Sequence, residues 1–493
     1  MRALQYGNIS SPISTASANA LLSYLGRVNY NYRGRYYLTG SFRVDGSSKF
    51  APQHRWGYFP AIAASWRLGR EKFMKSLPFV SDSKLRLSWG ATGNNRVGDF
   101  ATYSLARLND RYGIGSGGAT PEHALTLNQF GNRDLKWETT YQFDIGYELS
   151  LFKNRFQLVL DYYNKNTEDL LLNANVPWAS GFQRIYKNIG SIQNRGFEIE
   201  LSTVNIRKKD FQWRSSFNIS FNRNKILALT EDEKTMFTNV GFTSSWNSAN
   251  LYMAQVGKPV SSFYGLIWDG VYQLSDFDEM ANGSYVLRDD VPSLYEDRTR
   301  VQPGDIKYQD SNGDGIIDEK DKVIMGRTLP KHYGGFNNNF TYKNLSLNVF
   351  FQWNYGNNVM NANRLMFEGN SSNRPNLNQF ASYTDRWTIE NQSSENFRVR
   401  GGGPVGYFST RELEDGSYIR LKTVELAYRL PTHWVGRLSS VDISMAAQNL
   451  YTWTSYSGLD PEISTKNSIL TPGFDYSAYA QNFTVAFGVK VAF

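Results

Sequence analysis

The chain has 493 residues, no cysteine and a formal net charge of +8, with 53 Lys and Arg against 45 Asp and Glu. The absence of cysteine excludes a disulfide scaffold, a thiol nucleophile and a cysteine-ligated metal centre. No stretch approaches 18 uninterrupted apolar residues, which excludes helical membrane spans. Aromatic residues nevertheless make up 15% of the chain, so some large surface must accommodate them.

Residues 1–20 are rich in Ser, Ala and Asn and lack the apolar segment of a signal peptide, so we expect an extracellular loop or tail there. The positive charges are spread along the chain, and the densest cluster, Arg207–Lys209, has the length of a solvated turn. A nucleic-acid-binding protein would carry a basic stripe or a recognisable binding module. The sequence has neither, so no nucleic-acid partner is expected.

From residue 21 onwards, apolar and polar residues alternate over long stretches, which is the pattern of β-strands with one apolar and one polar face. Between Tyr141 and Leu151 every odd position is aliphatic or aromatic, and every even position is polar or Gly. No stretch has a convincing helical period, and no internal repeat of fixed length is present. The pattern predicts an all-β fold of about 13 strands, at 21–33, 35–47, 57–69, 83–92, 138–152, 155–172, 190–204, 210–224, 333–343, 344–355, 416–430, 440–453 and 477–493.

Three further features indicate a transmembrane antiparallel β-barrel whose apolar face meets outer-membrane lipid. The strands run about 10–18 residues, long enough to cross a bilayer when tilted. Short turns alternate with long loops at 93–137, 225–332 and 356–415, as in outer-membrane barrels. The final strand alternates and ends in Phe, like the assembly signal of bacterial barrels, through Phe483, Val485, Phe487, Val489, Val491 and Phe493. The aromatic residues then belong in two interfacial girdles.

The strand count is odd, whereas bacterial single-chain barrels have even counts. An open sheet edge cannot face hydrocarbon, because unpaired backbone groups are costly there. We therefore predict that residues 21–493 form the C-terminal part of a larger barrel, whose other strands pair with the edges at 21–33 and 477–493. A miscounted strand is the alternative.

Several short motifs follow one another in a fixed order along nearly the whole chain. They are Tyr24–Tyr30, Arg43–Phe50, Arg55–Pro60, Ser65–Arg67, Leu85–Asn94, Asn194–Glu198 and Ser262–Gly265, followed by the acidic segment Asp310–Asp321. Each piece alone would be weak, but the ordered set resembles the SusC/RagA-type TonB-dependent outer-membrane transporters.

The resemblance implies a barrel of about 22 strands occluded by an N-terminal plug, located in the bacterial outer membrane. It also implies import of glycans or peptides with energy from the TonB complex, under a lid formed by a SusD-like surface lipoprotein. The plug and the TonB-binding segment have no counterpart in this sequence.

Two other functions are weighed against the importer: a passive outer-membrane channel or adhesin, and an outer-membrane enzyme that acts through its loops. A glycosidase would need two carboxylates about 5–9 Å apart. The loop acids, Glu412 and Glu414 among them, are expected to be solvated, and no catalytic constellation is visible. An enzyme is therefore not expected.

The acidic segment 310–321 has the spacing of a twelve-residue loop that wraps a hard cation, with Gly315 at its sixth position. Position 12 is Asp rather than the bidentate Glu of an EF-hand, so the segment resembles the dockerin-type variant. We predict a structural Ca²⁺ site that pins the 225–332 loop, with an acidic turn without metal as the alternative. The predicted ligands are Asp310, Asn312, Asp314, the carbonyl of Ile316, Asp318 and Asp321.

Aromatic residues in the predicted loops are candidates for stacking on the faces of a sugar ligand. Packing within the loops or in the girdles is the alternative. These residues are Trp178, Phe182, Trp246, Trp268, Tyr272 and Trp387.

Overall fold

The computed structural model describes residues 16–112, 122–175, 184–229, 233–241, 243, 246, 249–369, 377–392, 395–434, 436, 438–466 and 468–493. Its main element is one sheet of 13 strands in which neighbours in space are neighbours along the chain. All pairs are antiparallel. The strands are β1 (Leu21–Tyr32), β2 (Tyr36–Ser47), β3 (Trp56–Trp66), β4 (Val80–Asn94), β5 (Glu138–Leu151), β6 (Phe156–Glu168), β7 (Ser191–Arg207), β8 (Phe211–Ala228), β9 (His332–Tyr342), β10 (Leu345–Tyr355), β11 (Tyr418–Arg429), β12 (Ser440–Thr454) and β13 (Thr484–Ala492).

The sheet confirms the strands predicted from alternation, and the largest difference concerns the last one. It begins at Thr484 rather than at residue 477. The backbone N–H of Ser477 is bonded to the Asn363 side chain, and Gln481 accepts a bond from Arg420. Because these residues are held by side chains of other segments, residues 477–483 belong to a connection and not to the ladder.

The connections divide between the two ends of the sheet, as a meander of antiparallel strands requires. One end carries 33–35, 67–79, 152–155, 208–210, 343–344 and 430–439. The other end carries 48–55, 95–137, 169–190, 229–331, 356–417 and 455–483. The long connections therefore all gather at one end of the sheet.

The long connections contain short elements of their own. Paired strands are Leu105–Tyr112 with Glu122–Gln129, Leu171–Asn175 with Arg184–Asn188, Trp268–Val271 with Ile306–Tyr308, and Phe277–Glu279 with Tyr285–Leu287. Thr235–Asn239, Asn250–Gln255, Ser262–Gly265 and Val323–Arg327 form a four-stranded sheet, and Asn358–Asn361 pairs with Leu413–Asp415 and Phe474–Asp475. Helix α1 spans Ala362–Phe367. No helix of the described residues is long and apolar enough to cross a membrane.

The two faces of the sheet differ in the way that alternation predicts. Large apolar side chains on one face are exposed, such as Val28 and Phe487, and aromatic rings on this face stack across strands, as Phe217 does on Trp353 at 5.4 Å. The other face carries ion pairs, for example between Arg86 and Asp161 at 2.9 Å. The buried apolar clusters lie mainly in the long connections, so the sheet is a wall with an apolar exterior and not half of a soluble core.

We predict opposite outcomes for a charge placed at two consecutive positions in the middle of β7. Ile199 lies on the apolar face beside Leu160 and Ile219, whereas Glu200 lies on the polar face. Ile199→Arg should lower the free energy of unfolding by about 2–4 kcal/mol, the cost of a cation at the bilayer midplane. Glu200→Arg should change it by less than about 1 kcal/mol. Urea titration of the protein refolded into lipid vesicles measures both, and equal effects would contradict a lipid-facing β7.

Candidate functional site

The connections 229–331, 356–417 and 455–483 pack together over one end of the sheet, and we call them the loop cap. One apolar cluster of the cap contains Leu266, Tyr272, Ile306, Ile317, Trp387 and Phe397. A second contains Leu251, Phe263, Met360, Phe408 and Phe474. Because these residues come from segments far apart in sequence, the cap is a folded unit in its own right and not a set of independent loops.

The structure places the aromatic candidates within this packing. Tyr272 is fully buried and donates its hydroxyl to the carbonyl of Pro292 at 2.7 Å. Trp387 is nearly as buried, and its indole N–H bonds to Gln273 at 3.2 Å. Trp246 packs on Phe408.

The remaining aromatic candidates are more accessible or lie elsewhere. Trp268 is partly buried, with its indole N–H on the carbonyl of Gly270 at 2.9 Å. Trp178 and Phe182 fall outside the described residues. Sugar stacking by this set stays a prediction, and for Tyr272 it would require the first cluster to open.

The segment Asp310–Asp321 forms a compact acidic loop closed by its own carboxylates. Asp310 accepts the backbone N–H groups of Gly313 and Gly315 at 2.7 and 2.8 Å. Asp321, at the other end, accepts those of Ser311 and Asp318, both at 2.8 Å. Gly313 and Gly315 have φ of +77° and +82°, a backbone conformation that glycine adopts without strain. The loop shape is therefore encoded by the acids and glycines of the sequence motif.

The electrostatics of this loop suit a cation, but the carboxylates do not converge on one point. Burial raises the pKa of Asp310, yet the N–H groups of Gly315 and Gly313 outweigh it and hold that pKa below its usual value. The ammonium of Lys320 lies 3.8 Å from Asp314 and 3.7 Å from Asp318. Within the described residues, no three His, Cys, Asp or Glu side chains are grouped closely enough to hold a metal. The oxygen donors fit calcium in kind, and Lys320 supplies positive charge beside two of them.

A buried ionic network in the cap corrects the expectation that Glu412 is solvated. Glu412 is almost completely buried, and Arg411 pairs with it at 3.3 Å and with Glu368 at 3.2 Å. Burial raises the pKa of Glu368, but the Ser382 hydroxyl and the Arg364 guanidinium outweigh it and lower that pKa below its usual value. A general acid needs the opposite shift, so this network stabilises the cap and is poorly suited to acid catalysis.

A second buried ion pair joins the wall to the cap. Arg420, on β11, is fully buried and bonds Asp460 at 2.6 Å and Glu462 at 2.8 Å, both from the 455–483 connection. It also donates to Thr452 of β12 at 2.8 Å. Sequence patterns gave no signal for these pairs, because the partners are 40 and 42 residues apart.

The C-terminal residues proposed as an assembly signal all lie on the apolar exterior of β13 or at its ends. Phe483, Val485, Phe487, Val489, Val491 and Phe493 are exposed. Among the described residues β13 pairs only with β12, and β1 only with β2. Recognition of this strand during barrel assembly stays a prediction.

We predict that Arg420→Met destabilises the cap strongly, because it leaves Asp460 buried without its partner. Removing one member of a buried pair costs about 3–5 kcal/mol. The matched control is Lys225→Met on β8, since Lys225 is exposed and forms no ion pair within the described residues. Chemical denaturation and limited proteolysis of 455–483 provide the measurements. Adding Asp460→Leu to Arg420→Met should restore part of the loss, and a loss no larger than that of the control would contradict the pairing.

Comparison with protein families gives a match over most of the chain. The model of the family described as TonB dependent receptor-like, beta-barrel matches residues 3–314. TonB-dependent receptor P3 of Formosa agariphila is 32% identical over 500 residues, which cover 100% of this chain and 47% of that protein. TonB-dependent receptor SusC of Bacteroides thetaiotaomicron is 30% identical over 485 residues, covering 97% of this chain and 44% of that protein.

A solved structure of the RagAB peptide importer in its "closed-closed" state has the same architecture. It superposes with a TM-score of 0.79 at 25% identity, covering 99% of this chain and 50% of that chain. The chain thus spans about half the length of the relatives it matches. Its thirteen-strand antiparallel wall and folded loop cap agree with the family match, and the chain belongs to the TonB-dependent receptor-like β-barrel family.

Proposed function

We propose that this chain forms part of the barrel wall and the extracellular loop cap of a TonB-dependent outer-membrane importer of glycans or peptides. The observation that carries the proposal is the continuous wall of antiparallel strands with an apolar exterior, capped at one end by folded connections. The similarity to SusC and to the RagAB peptide importer extends over almost the whole chain and supports it.

The same proposal includes the outer membrane as location and two protein partners. A SusD-like surface lipoprotein covers the loop cap, and the TonB complex supplies energy through a part of the importer other than this wall and cap. The similarity to SusC and to the RagAB peptide importer supports these partners.

An outer-membrane enzyme and a passive channel or adhesin are less well supported than the importer. An enzyme would need an acid and a base in reach of one another, and the buried Glu368 and Glu412 are instead paired with Arg411. A passive channel needs no energy source, and the family match is to receptors that depend on TonB.

We also propose that the Asp310–Asp321 loop binds one structural calcium ion. The ion would draw together carboxylates that do not converge on one point in this structure, and its ligands would be Asp310, Asn312, Asp314, the carbonyl of Ile316, Asp318 and Asp321. It would also supply the positive charge that Lys320 brings near Asp314 and Asp318. The neighbouring Ile317 is buried in the first apolar cluster, and its N–H bonds the carbonyl of Ser293 at 2.8 Å. Fixing this loop would therefore stabilise the core of the cap.

Uptake in living cells tests the importer. Deleting the complete gene should abolish uptake of an oligosaccharide or peptide on which the bacterium grows, and restoring it should recover uptake. A protonophore should stop that uptake, because TonB draws on the proton gradient, and the protein should fractionate with the outer membrane and co-purify with a lipoprotein. Uptake that persists with the protonophore would indicate a passive channel, and product release by the purified protein would indicate an enzyme.

Elemental analysis and melting of the purified protein test the calcium ion. Calcium at about 100 times its Kd should add about 2.7 kcal/mol of stability, which a chelator removes. Asp314→Asn should weaken calcium binding, whereas Lys320→Gln should strengthen it by removing a competing cation. Asp278→Asn, an exposed acid of the same cap, is the control. No bound calcium together with an unchanged melting curve would refute the site.

A further inference from the structure

A cavity of about 560 Å³ lies where the C-terminal end of β8 meets the cap. Its walls come from β8 around Asn222, from the segment after Gly257, and from the strand Val323–Arg327 with the residues that lead into β9. Hydrogen bonds hold these walls together: Asn224 accepts the N–H of Val260 at 3.2 Å, and Thr328 donates to the carbonyl of Ser261 at 2.8 Å. The cavity is therefore a fixed feature of the junction between wall and cap.

The charges that line this cavity are all positive. Arg223, Lys258 and Arg327 are among the lining residues, and no acid is. In the described part of the chain, none of the three forms an ion pair with a carboxylate, whereas Arg364 and Arg411 of the cap and Arg420 of β11 do. Arg223 instead donates to the backbone carbonyls of Asn222 and Lys331 at 3.2 and 3.0 Å.

Two further observations indicate that an anion would be bound favourably in this cavity. Partial burial lowers the pKa of Arg327, and the nearby charge of Arg223 lowers it further, so the two guanidinium groups repel each other. The side-chain oxygen of Asn222 is buried and accepts no hydrogen bond. An oxyanion would relieve the repulsion, and a hydroxyl or N–H beside that oxyanion would satisfy Asn222.

A second cleft of about 400 Å³ adjoins the first and shares Pro330 with it. Its lining residues include Tyr333, Gln352 and Asn354, and also Glu462, whose charge is paired with Arg420. The Asn354 side-chain oxygen is also buried without a hydrogen-bond partner. A ligand longer than one unit could therefore extend from the cationic cavity along the polar face of β9 and β10.

We propose that the cavity lined by Arg223, Lys258 and Arg327 binds a carboxylate of the imported solute, so that the importer selects acidic over neutral ligands. The inference rests on the importer function and adds the charge of its ligand. A uronate unit of an oligosaccharide and the free carboxylate of a peptide share this chemistry, and binding measurements distinguish them.

Calorimetric titration of the full-length importer in detergent tests the inference with four probes. They are tetragalacturonate, its carboxyl-reduced neutral form, tetra-alanine with a free C-terminus, and tetra-alanine amide. We expect at least one acidic probe to bind roughly tenfold more tightly than its neutral partner at low salt, with the preference reduced at high salt. The pair that shows the preference identifies whether the carboxylate belongs to a sugar or to a peptide. Equal affinities within both pairs, or no binding by either acidic probe, would overturn the inference.

Variants connect the preference to the cavity. Arg327→Gln and Lys258→Gln should each weaken binding of the acidic probe roughly fivefold and leave the neutral probe unaffected. Lys75→Gln, a cation at the opposite end of the sheet, controls for net charge and should bind like the unaltered protein. If Arg327→Gln and Lys258→Gln also bind the acidic probe like the unaltered protein, the cavity is not the binding site. Protonophore-sensitive uptake of only neutral solutes would keep the importer function and reject this inference.

Discussion

The rest of the structure depends on the hydrogen-bonded pairing of each strand with the next strand in the chain. In hydrocarbon every backbone N–H and C=O must be satisfied within the protein, and an antiparallel meander achieves this with local connections alone. The ladder leaves side chains free to differ between faces, so one face can be wholly apolar without a packed core behind it. It also sends alternate connections to opposite ends, and this is why residues 229–331, 356–417 and 455–483 meet.

The wall needs no apolar core behind it. The buried apolar side chains, which a soluble protein would pack against its sheet, lie mainly in the cap. Tyr252, Phe263, Phe408 and Phe474 are essentially inaccessible there, whereas apolar side chains of β1 are exposed along its length. The cap also contains the buried ion pairs. Arg420 extends this packing into the wall, since its backbone belongs to β11 and its charged partners belong to the cap.

The sequence predicted the wall far better than the cap, for a physical reason. A strand in a barrel records its environment locally, because every second residue faces the same medium, and β5 could be recognised from eleven residues alone. Burial in the cap depends on partners from distant segments. Glu412 is expected to be solvated because nothing near it in sequence reveals that its partner Arg411 is itself held by the distant Glu368 and Asn396. The acidic loop was recognisable because its hydrogen bonds stay within twelve residues.

Burial also separates the cations that stabilise the fold from those that are available to a ligand. Arg411 and Arg420 are buried, and leaving either unpaired would be costly, so carboxylates accompany them wherever the fold places them. Arg223, Lys258 and Arg327 remain in contact with solvent, where an unpaired cation costs little. The three cations around this cavity form no ion pair that stabilises the cap, and the repulsion between Arg223 and Arg327 opposes its stability slightly. A cluster of this kind is explained more readily by an anion that visits the cavity than by stability, because only the bound anion makes their proximity favourable.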